Sequence, residues 1–93
     1  MAKILMKDGT EAQARLTFKD LYDLEKNNSK LAEEYFEIQD KEKLNELDMI
    51  RIIRIAYICA GNQEVTFEEF LEKISQNRNQ VLTVYYELLY PKN

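Results

Sequence analysis

The chain contains no histidine, one cysteine, one proline and two glycines among its 93 residues. Without histidine and with a single cysteine, it lacks the ligands of a metal cluster, the commonest catalytic base and the means to form an internal disulfide. A reducing cytoplasm fits this cysteine usage. The scarcity of glycine and proline leaves no flexible linker, and no repeat or low-complexity segment is present. We therefore expect a single domain over residues 1–93.

The charge balance is acidic, with 17 acidic against 13 basic residues and a formal net charge of −4. This balance, with basic residues scattered along the chain, argues against a nucleic-acid or anionic-membrane partner. Arg51 and Arg54 interrupt the longest apolar run, and the amino terminus lacks the pattern of an export signal. We therefore expect a protein that stays in solution inside the cell.

The segment LDMIRIIRIAY, from Leu47 to Tyr57, is apolar on nearly every side when drawn as a helix. A helix of this kind needs neighbours almost all round. The flanking sequence predicts that it runs from about Lys41 to Ala60, where Gly61 and Asn62 end it.

The amino-terminal runs AKILM and EAQARL flank Asp8 and Gly9, which favour a tight hairpin turn. The second run is weak as a strand, so the alternatives are an irregular segment or an extension of the next helix. The prediction is a short hairpin ahead of the helices.

Four further helices follow from capping signals and apolar spacing. They are FKDLYDLEK after Thr17, with Phe18, Leu21, Tyr22 and Leu24 on one side, KLAEEYFEIQ after Ser29, FEEFLEKI after the Thr66–Glu69 capping box, and VLTVYYELLY after the polar connection SQNRNQ, ending at Pro91. The predicted fold is a mainly α domain of about five helices with a short N-terminal β-hairpin.

The residues give no support to catalysis or to a bound metal or cofactor. The stretch ending in VTFEEF is similar to the end of an EF-hand loop, but its ligand positions would be Ile58, Ala60 and Asn62, and Gln63 stands where glycine is required. Cys59 lies in the most apolar helix with no histidine to activate it, which favours a buried, inert thiol. We expect a protein that is not an enzyme.

Six residues are candidates for partner binding. Arg51 and Arg54 either extend to the solvent or pair with Asp48 and the acids of neighbouring helices, or they contact a partner. The last helix has more apolar surface than a small core usually covers, so its tyrosines and leucines either close the core or face a partner. The candidates are Arg51, Arg54, Tyr85, Tyr86, Leu89 and Tyr90.

The chain begins with a short strand and continues with TFKDLYDLEK, an apolar helix ending in RIAYICAGN, and VTFEEFLEKI. In this order of segments it resembles the tail assembly chaperones of long-tailed bacteriophages and prophages of Gram-positive hosts. The resemblance implies a small helical protein of the host bacterial cytoplasm that binds the tape-measure protein, keeps it soluble during tail assembly and is absent from the mature virion. Several copies of the chaperone would cover one tape-measure protein. The resemblance leaves open whether the chaperone forms homo-oligomers.

The resemblance also implies a second, longer product of backward frameshifting that recruits the tail-tube subunit. The residues Pro91 to Asn93 are compatible with an adenine-rich slippery run in the messenger.

An alternative of a different class is an acidic immunity-type or antitoxin-like helical inhibitor of a basic enzyme. A concentrated acidic face would favour the inhibitor. An apolar groove or strip around the last helix, with self-association, would favour the chaperone.

Overall fold

The computed structural model describes residues 2–91. Its elements, in chain order, are β1 (Ala2–Leu5), β2 (Glu11–Ala14), α1 (Phe18–Asn27), α2 (Ser29–Gln39), α3 (Glu46–Cys59), α4 (Phe67–Lys73) and α5 (Arg78–Leu89). This order confirms the mainly α domain with an amino-terminal hairpin. Of the proposed slippery segment, Pro91 alone lies within the described residues.

The hairpin forms around the turn that the sequence indicates. The strands β1 and β2 pair antiparallel, from Ala2 opposite Ala14 to Leu5 opposite Glu11. Gly9 takes a φ of 91°, which glycine adopts without strain, and the Asp8 carboxylate accepts hydrogen bonds from the N–H and hydroxyl of Thr10. The second arm is therefore a strand from Glu11 to Ala14 and irregular at Arg15 and Leu16, and the helical alternative is wrong.

The other edge of β1 is covered by the segment that follows α4. Ser75 N–H donates to the Leu5 carbonyl at 3.0 Å, and Lys7 N–H donates to the Lys73 carbonyl at 2.8 Å. The Gln80 side chain of α5 donates to the Lys3 carbonyl at 3.2 Å. The first strand is thus fixed by residues from the last quarter of the chain.

Helix α3 lies at the centre, as its apolar sequence predicts. Six consecutive residues, from Ile52 to Tyr57, are buried. Ile52, Ile53, Ala56 and Tyr57 join the main core, which they share with the hairpin, α4 and α5, while Ile55 belongs to a second cluster with residues of α1 and α2. The helix therefore connects the two halves of the core.

The predicted start of α3 at Lys41 is wrong. The Asn45 side chain accepts a hydrogen bond from the Asp48 N–H at 2.8 Å, and the Asp48 carboxylate accepts one from the Asn45 N–H at 3.2 Å. This reciprocal pair is a capping box, so the helix begins at Glu46.

Two other helix starts also move by a residue or more. Asn28 caps α2, so Ser29 is its first residue and not its cap. Asn77 caps α5, and the helix takes in the last three residues of the predicted polar connection. In both cases an asparagine accepts from the backbone of the first turn, the role for which its short side chain is suited.

Asp48 couples this cap to a partly buried ion pair with Lys41. Lys41 Nζ donates to Asp48 Oδ1 at 2.9 Å, while the Asp48 side chain is only 3% exposed. The Lys41 hydrogen bond is the main reason that the pKa of Asp48 lies below its ordinary value of 3.8, and the Asn45 N–H lowers it further. The folded protein thus favours the ionised carboxylate.

We expect Asp48→Asn to destabilise the fold at about pH 7 by roughly 1–3 kcal/mol, because it removes charge-assisted hydrogen bonds at a buried cap. Because the folded pKa is depressed, the stabilisation is complete above the unfolded value of 3.8 and disappears as the pH falls through the folded pKa. Urea unfolding at about pH 7 and about pH 3 should show a smaller acid-induced loss in the variant than in the wild type. An equal loss in both would contradict this role, and Glu72→Gln, on the exposed side of α4, is the control.

Candidate protein-interaction surface

An open groove runs between the start of α1 and the end of α5, with a volume of about 640 Å³. We call it the aromatic groove. Its lining comprises Leu16, Thr17, Phe18, Leu21, Tyr35, Leu88, Leu89, Tyr90 and Pro91. None of these described lining residues is acidic or basic, so the groove offers a mainly apolar surface to a partner.

Two aromatic side chains project at this groove. Phe18 is 92% exposed and Tyr90 is 69% exposed. Phe18 is the first residue of α1, held there by the capping box in which Thr17 Oγ1 accepts from the Asp20 N–H. Neither side chain is needed to fill the core, and a phenylalanine in water is unfavourable.

The sequence predicts Phe18 and Tyr22 on the same side of α1 as Leu24, but both are more than half exposed while Leu24 is buried. At 100° per residue, Phe18 lies roughly 120° from Leu24 around the helix. A helical-wheel angle measured from the buried Leu24 therefore identifies Phe18 as a surface residue. The six residues predicted to bind a partner do not include Phe18.

A line of exposed apolar side chains on α5 continues from the aromatic groove. Leu82, Tyr86 and the C-cap residue Tyr90 are four residues apart and therefore follow one side of the helix. The rings of Tyr86 and Tyr90 are 5.9 Å apart between centroids. We call these three residues the α5 stripe, and Tyr90 belongs to both surfaces.

The four candidates at the carboxyl-terminal helix divide between the surface and the core. Tyr86 and Tyr90 are exposed, and Leu89 lines the aromatic groove. Tyr85 is 5% exposed and packs in the main core, where burial raises the pKa of its hydroxyl. Its assignment to a partner surface is corrected accordingly, because the described fold already covers its ring.

The two arginines make contacts within the protein. Arg54 is buried, with Nε donating to the Val65 carbonyl at 2.7 Å and the guanidinium 3.7 Å from the Glu34 carboxylate. Its assignment as a partner contact is therefore wrong, and pairing with an acid of a neighbouring helix is confirmed. Arg51 lies 3.6 Å from Asp48, which confirms that predicted pair.

Arg51 is the more accessible of the two, with a side chain 36% exposed. Its guanidinium lies 4.5 Å from the centre of the Phe67 ring, a cation–π distance. It does not line the aromatic groove, so the structure does not bring the two predicted sets of binding residues together.

The residues compared with an EF-hand serve other purposes here. The Glu69 carboxylate accepts from the Thr66 N–H at 3.0 Å and completes the predicted capping box. Burial raises the pKa of the partly buried Cys59 thiol to about 11, so the thiol is protonated near neutral pH. Within residues 2–91, no three acidic, cysteine or histidine side chains are grouped to hold a metal ion.

Comparisons with protein-family models, with curated proteins and with solved structures found no match to this chain. Among the described helices, none combines the length and apolar character required to cross a membrane.

Adjacent tyrosines on α5 provide a test of this division between core and surface. Tyr85→Ala should destabilise the fold by about 3–5 kcal/mol, as expected for truncating a buried aromatic ring. Tyr86→Ala should change stability by no more than about 0.5 kcal/mol, because its ring is mostly in water. Urea unfolding of the two variants measures both, and equal destabilisation would contradict the orientation of α5.

Calcium at about 1 mM should leave the Tm unchanged, because a ligand raises Tm only when it binds the folded state. Differential scanning fluorimetry with calcium and with a chelator would measure this. A calcium-dependent rise in Tm would contradict the capping role of Glu69 and revive a metal loop.

Proposed function

We propose that this protein is a non-catalytic tail assembly chaperone that binds apolar helices of a phage tape-measure protein. It keeps that protein soluble during tail assembly in the host bacterial cytoplasm and is absent from the mature virion. The sequence resemblance supports this proposal, and the single structural observation that supports it best is the uncharged aromatic groove between Phe18 and Tyr90.

The groove has the chemistry required to hold an amphipathic helix by its apolar side. Helix-in-groove recognition places side chains at intervals of three or four residues into an apolar cleft. Tyrosine suits such a contact because it provides a large ring with few rotatable bonds and a hydroxyl that stays hydrated at the edge. Tyr90 and Tyr35 would serve in this way, with Phe18 as the fully apolar anchor.

The α5 stripe gives the chaperone a second apolar contact next to the groove. It would hold an adjoining segment of the tape measure or a neighbouring copy of the chaperone. Several copies along one tape-measure chain would prevent its apolar helices from aggregating, while the net charge of −4 per copy keeps the assembly soluble. A longer frameshifted product that recruits the tail-tube subunit is part of the same proposal and rests on the resemblance.

Co-expression with the tape-measure protein encoded nearest to this gene tests the proposal. The wild type should keep the tape measure in the soluble fraction and co-purify with it. Phe18→Ser and Tyr90→Ser should each weaken the complex by about tenfold, because exposed aromatic anchors commonly contribute about 1–2 kcal/mol or more to an interface. Circular dichroism should show unchanged helical content in both.

Leu47→Ser is the matched control, because Leu47 is an exposed apolar residue of α3 that lies outside the aromatic groove. It should co-purify with the tape measure as the wild type does. Equal loss in all three variants would contradict the groove assignment. Insoluble tape measure in the presence of wild-type protein would contradict the chaperone role itself.

A second candidate follows from the arrangement of acidic side chains. Glu25, Glu33, Glu37 and Asp40 line one groove on α1 and α2, which is the concentrated acidic face expected of an inhibitor of a basic enzyme. The two candidates place the partner on different surfaces. Variants of the aromatic groove and of this acidic groove therefore distinguish them.

A further inference from the structure

A separate cavity, of about 380 Å³, opens beside the turn of the hairpin. Its walls are formed by residues of the hairpin, by Tyr57 of α3 and by Lys73 at the end of α4. We call it the hairpin cavity. It shares no lining residue with the aromatic groove, and its volume is that of a small-molecule site. A ligand bound here would leave the aromatic groove free.

Tyr57 brings a polar group to the inner wall of the hairpin cavity. The residue is only 9% exposed, and its ring packs against Phe70 in the main core with the centroids 5.2 Å apart. Within residues 2–91 its hydroxyl has no hydrogen-bond partner, whereas every fully enclosed side-chain nitrogen or oxygen has one. The hydroxyl therefore remains accessible, and the cavity that Tyr57 lines gives it that access. A buried residue with an unpartnered O–H group marks a place for an acceptor atom of a ligand.

Lys7 and Lys73 bring two positive charges to the same cavity. The Lys7 N–H donates to the Lys73 carbonyl at 2.8 Å, next to the antiparallel bridge between Met6 and Ile74. The two lysines are therefore directly opposite each other, an arrangement in which like charges repel. Neither takes part in the ion pairs found in the described part of the chain. An anion bound beside both would relieve this repulsion.

Asp8 is the acidic residue of this lining, and its carboxylate is already engaged. Its Oδ1 atom accepts from the Thr10 hydroxyl at 2.6 Å and from the Thr10 N–H at 2.9 Å. These two hydrogen bonds hold the pKa of the Asp8 carboxyl below its ordinary value of 3.8. Two lysines against one aspartate leave the lining with one net positive charge, in a protein whose formal net charge is −4.

We propose that the hairpin cavity binds the phosphate group of a small molecule. The Tyr57 hydroxyl and the ammonium groups of Lys7 and Lys73 donate to the phosphate oxygens, while Met6 and Ala12 contact the apolar remainder of the ligand.

The charge of the donors selects a phosphate group over a carboxylate. A phosphate group carries a charge of about −1.5 to −2 at pH 7 and three strong acceptor oxygens, which match two ammonium groups and one hydroxyl. A carboxylate has a single charge and would neutralise one lysine. The acidic net charge of the chain disfavours a phosphate polymer such as a nucleic acid. This binding goes beyond the tape-measure proposal and does not depend on it.

A two-dimensional NMR titration of the backbone amide signals with phenyl phosphate tests the site. Signals of Thr10, Tyr57 and Lys73 should shift, with a Kd on the order of 1 mM. Benzoate, which has the same ring and a single charge, should bind more weakly. Inorganic phosphate should also bind more weakly, because it lacks a group for the apolar part of the cavity. Equal binding of inorganic and phenyl phosphate would overturn the assignment to a phosphorylated small molecule.

Tyr57→Phe removes one hydroxyl and should weaken phenyl phosphate binding roughly tenfold, because hydrogen bonds to charged groups are strong. Its Tm should match that of the wild type, since the hydroxyl has no partner in the described fold. Tyr85→Phe is the matched control, because Tyr85 is a buried tyrosine outside the cavity. Lys73→Gln should weaken binding, whereas Lys30→Gln removes the same charge from α2 and should bind as the wild type does.

Equal weakening in the two lysine variants would mean that net charge alone attracts the anion, and would overturn the proposal. Wild-type affinity in Tyr57→Phe, or equal binding of benzoate and phenyl phosphate, would also overturn it. So would the absence of shifts in the cavity signals at millimolar phenyl phosphate. None of these results alters the co-expression test of the aromatic groove.

Discussion

The burial of α3 from Ile52 to Tyr57 is the constraint on which the rest of the structure depends. A helix that is buried on every side over more than a full turn must be covered by several elements, and here the hairpin, α2, α4 and α5 all pack against it. Three isoleucines in this stretch are at most 2% exposed, and each contributes about 1.5–3 kcal/mol when removed from water. The small domain gains much of its core from this single helix.

The same constraint explains the polar contacts inside the protein. Arg54 cannot reach bulk water freely from the buried part of α3, so it donates to the Val65 carbonyl and approaches Glu34. At the end of α3, Arg15 Nη2 donates to the Cys59 carbonyl at 2.7 Å while its guanidinium also binds Asp20. Arg15 thereby ties the hairpin segment and the α1 cap to the end of the central helix.

The sequence predicted the elements better than their beginnings. The Thr17–Asp20 and Thr66–Glu69 patterns were visible because an apolar helix follows each directly. Asn45–Asp48 is the same device, but the lysines and glutamates ahead of it are good helix formers and hid the boundary. Phe18, Tyr85 and Tyr86 show why surface residues were harder to assign: composition marks them as apolar, whereas exposure depends on the rotation of each helix against α3.

The link between β1 and the segment after α4 has a consequence for the order of synthesis. Leu5 is made well before Ser75, yet the Leu5 carbonyl accepts from the Ser75 N–H, and the Lys3 carbonyl accepts from the Gln80 side chain. While the ribosome is still making α4, the hairpin has an unpaired edge and α3 lacks the cover of α5, so the nascent protein exposes the kind of surface that aggregates. The hairpin can therefore reach its native pairing only after the segment from Ser75 to Gln80 has left the ribosome.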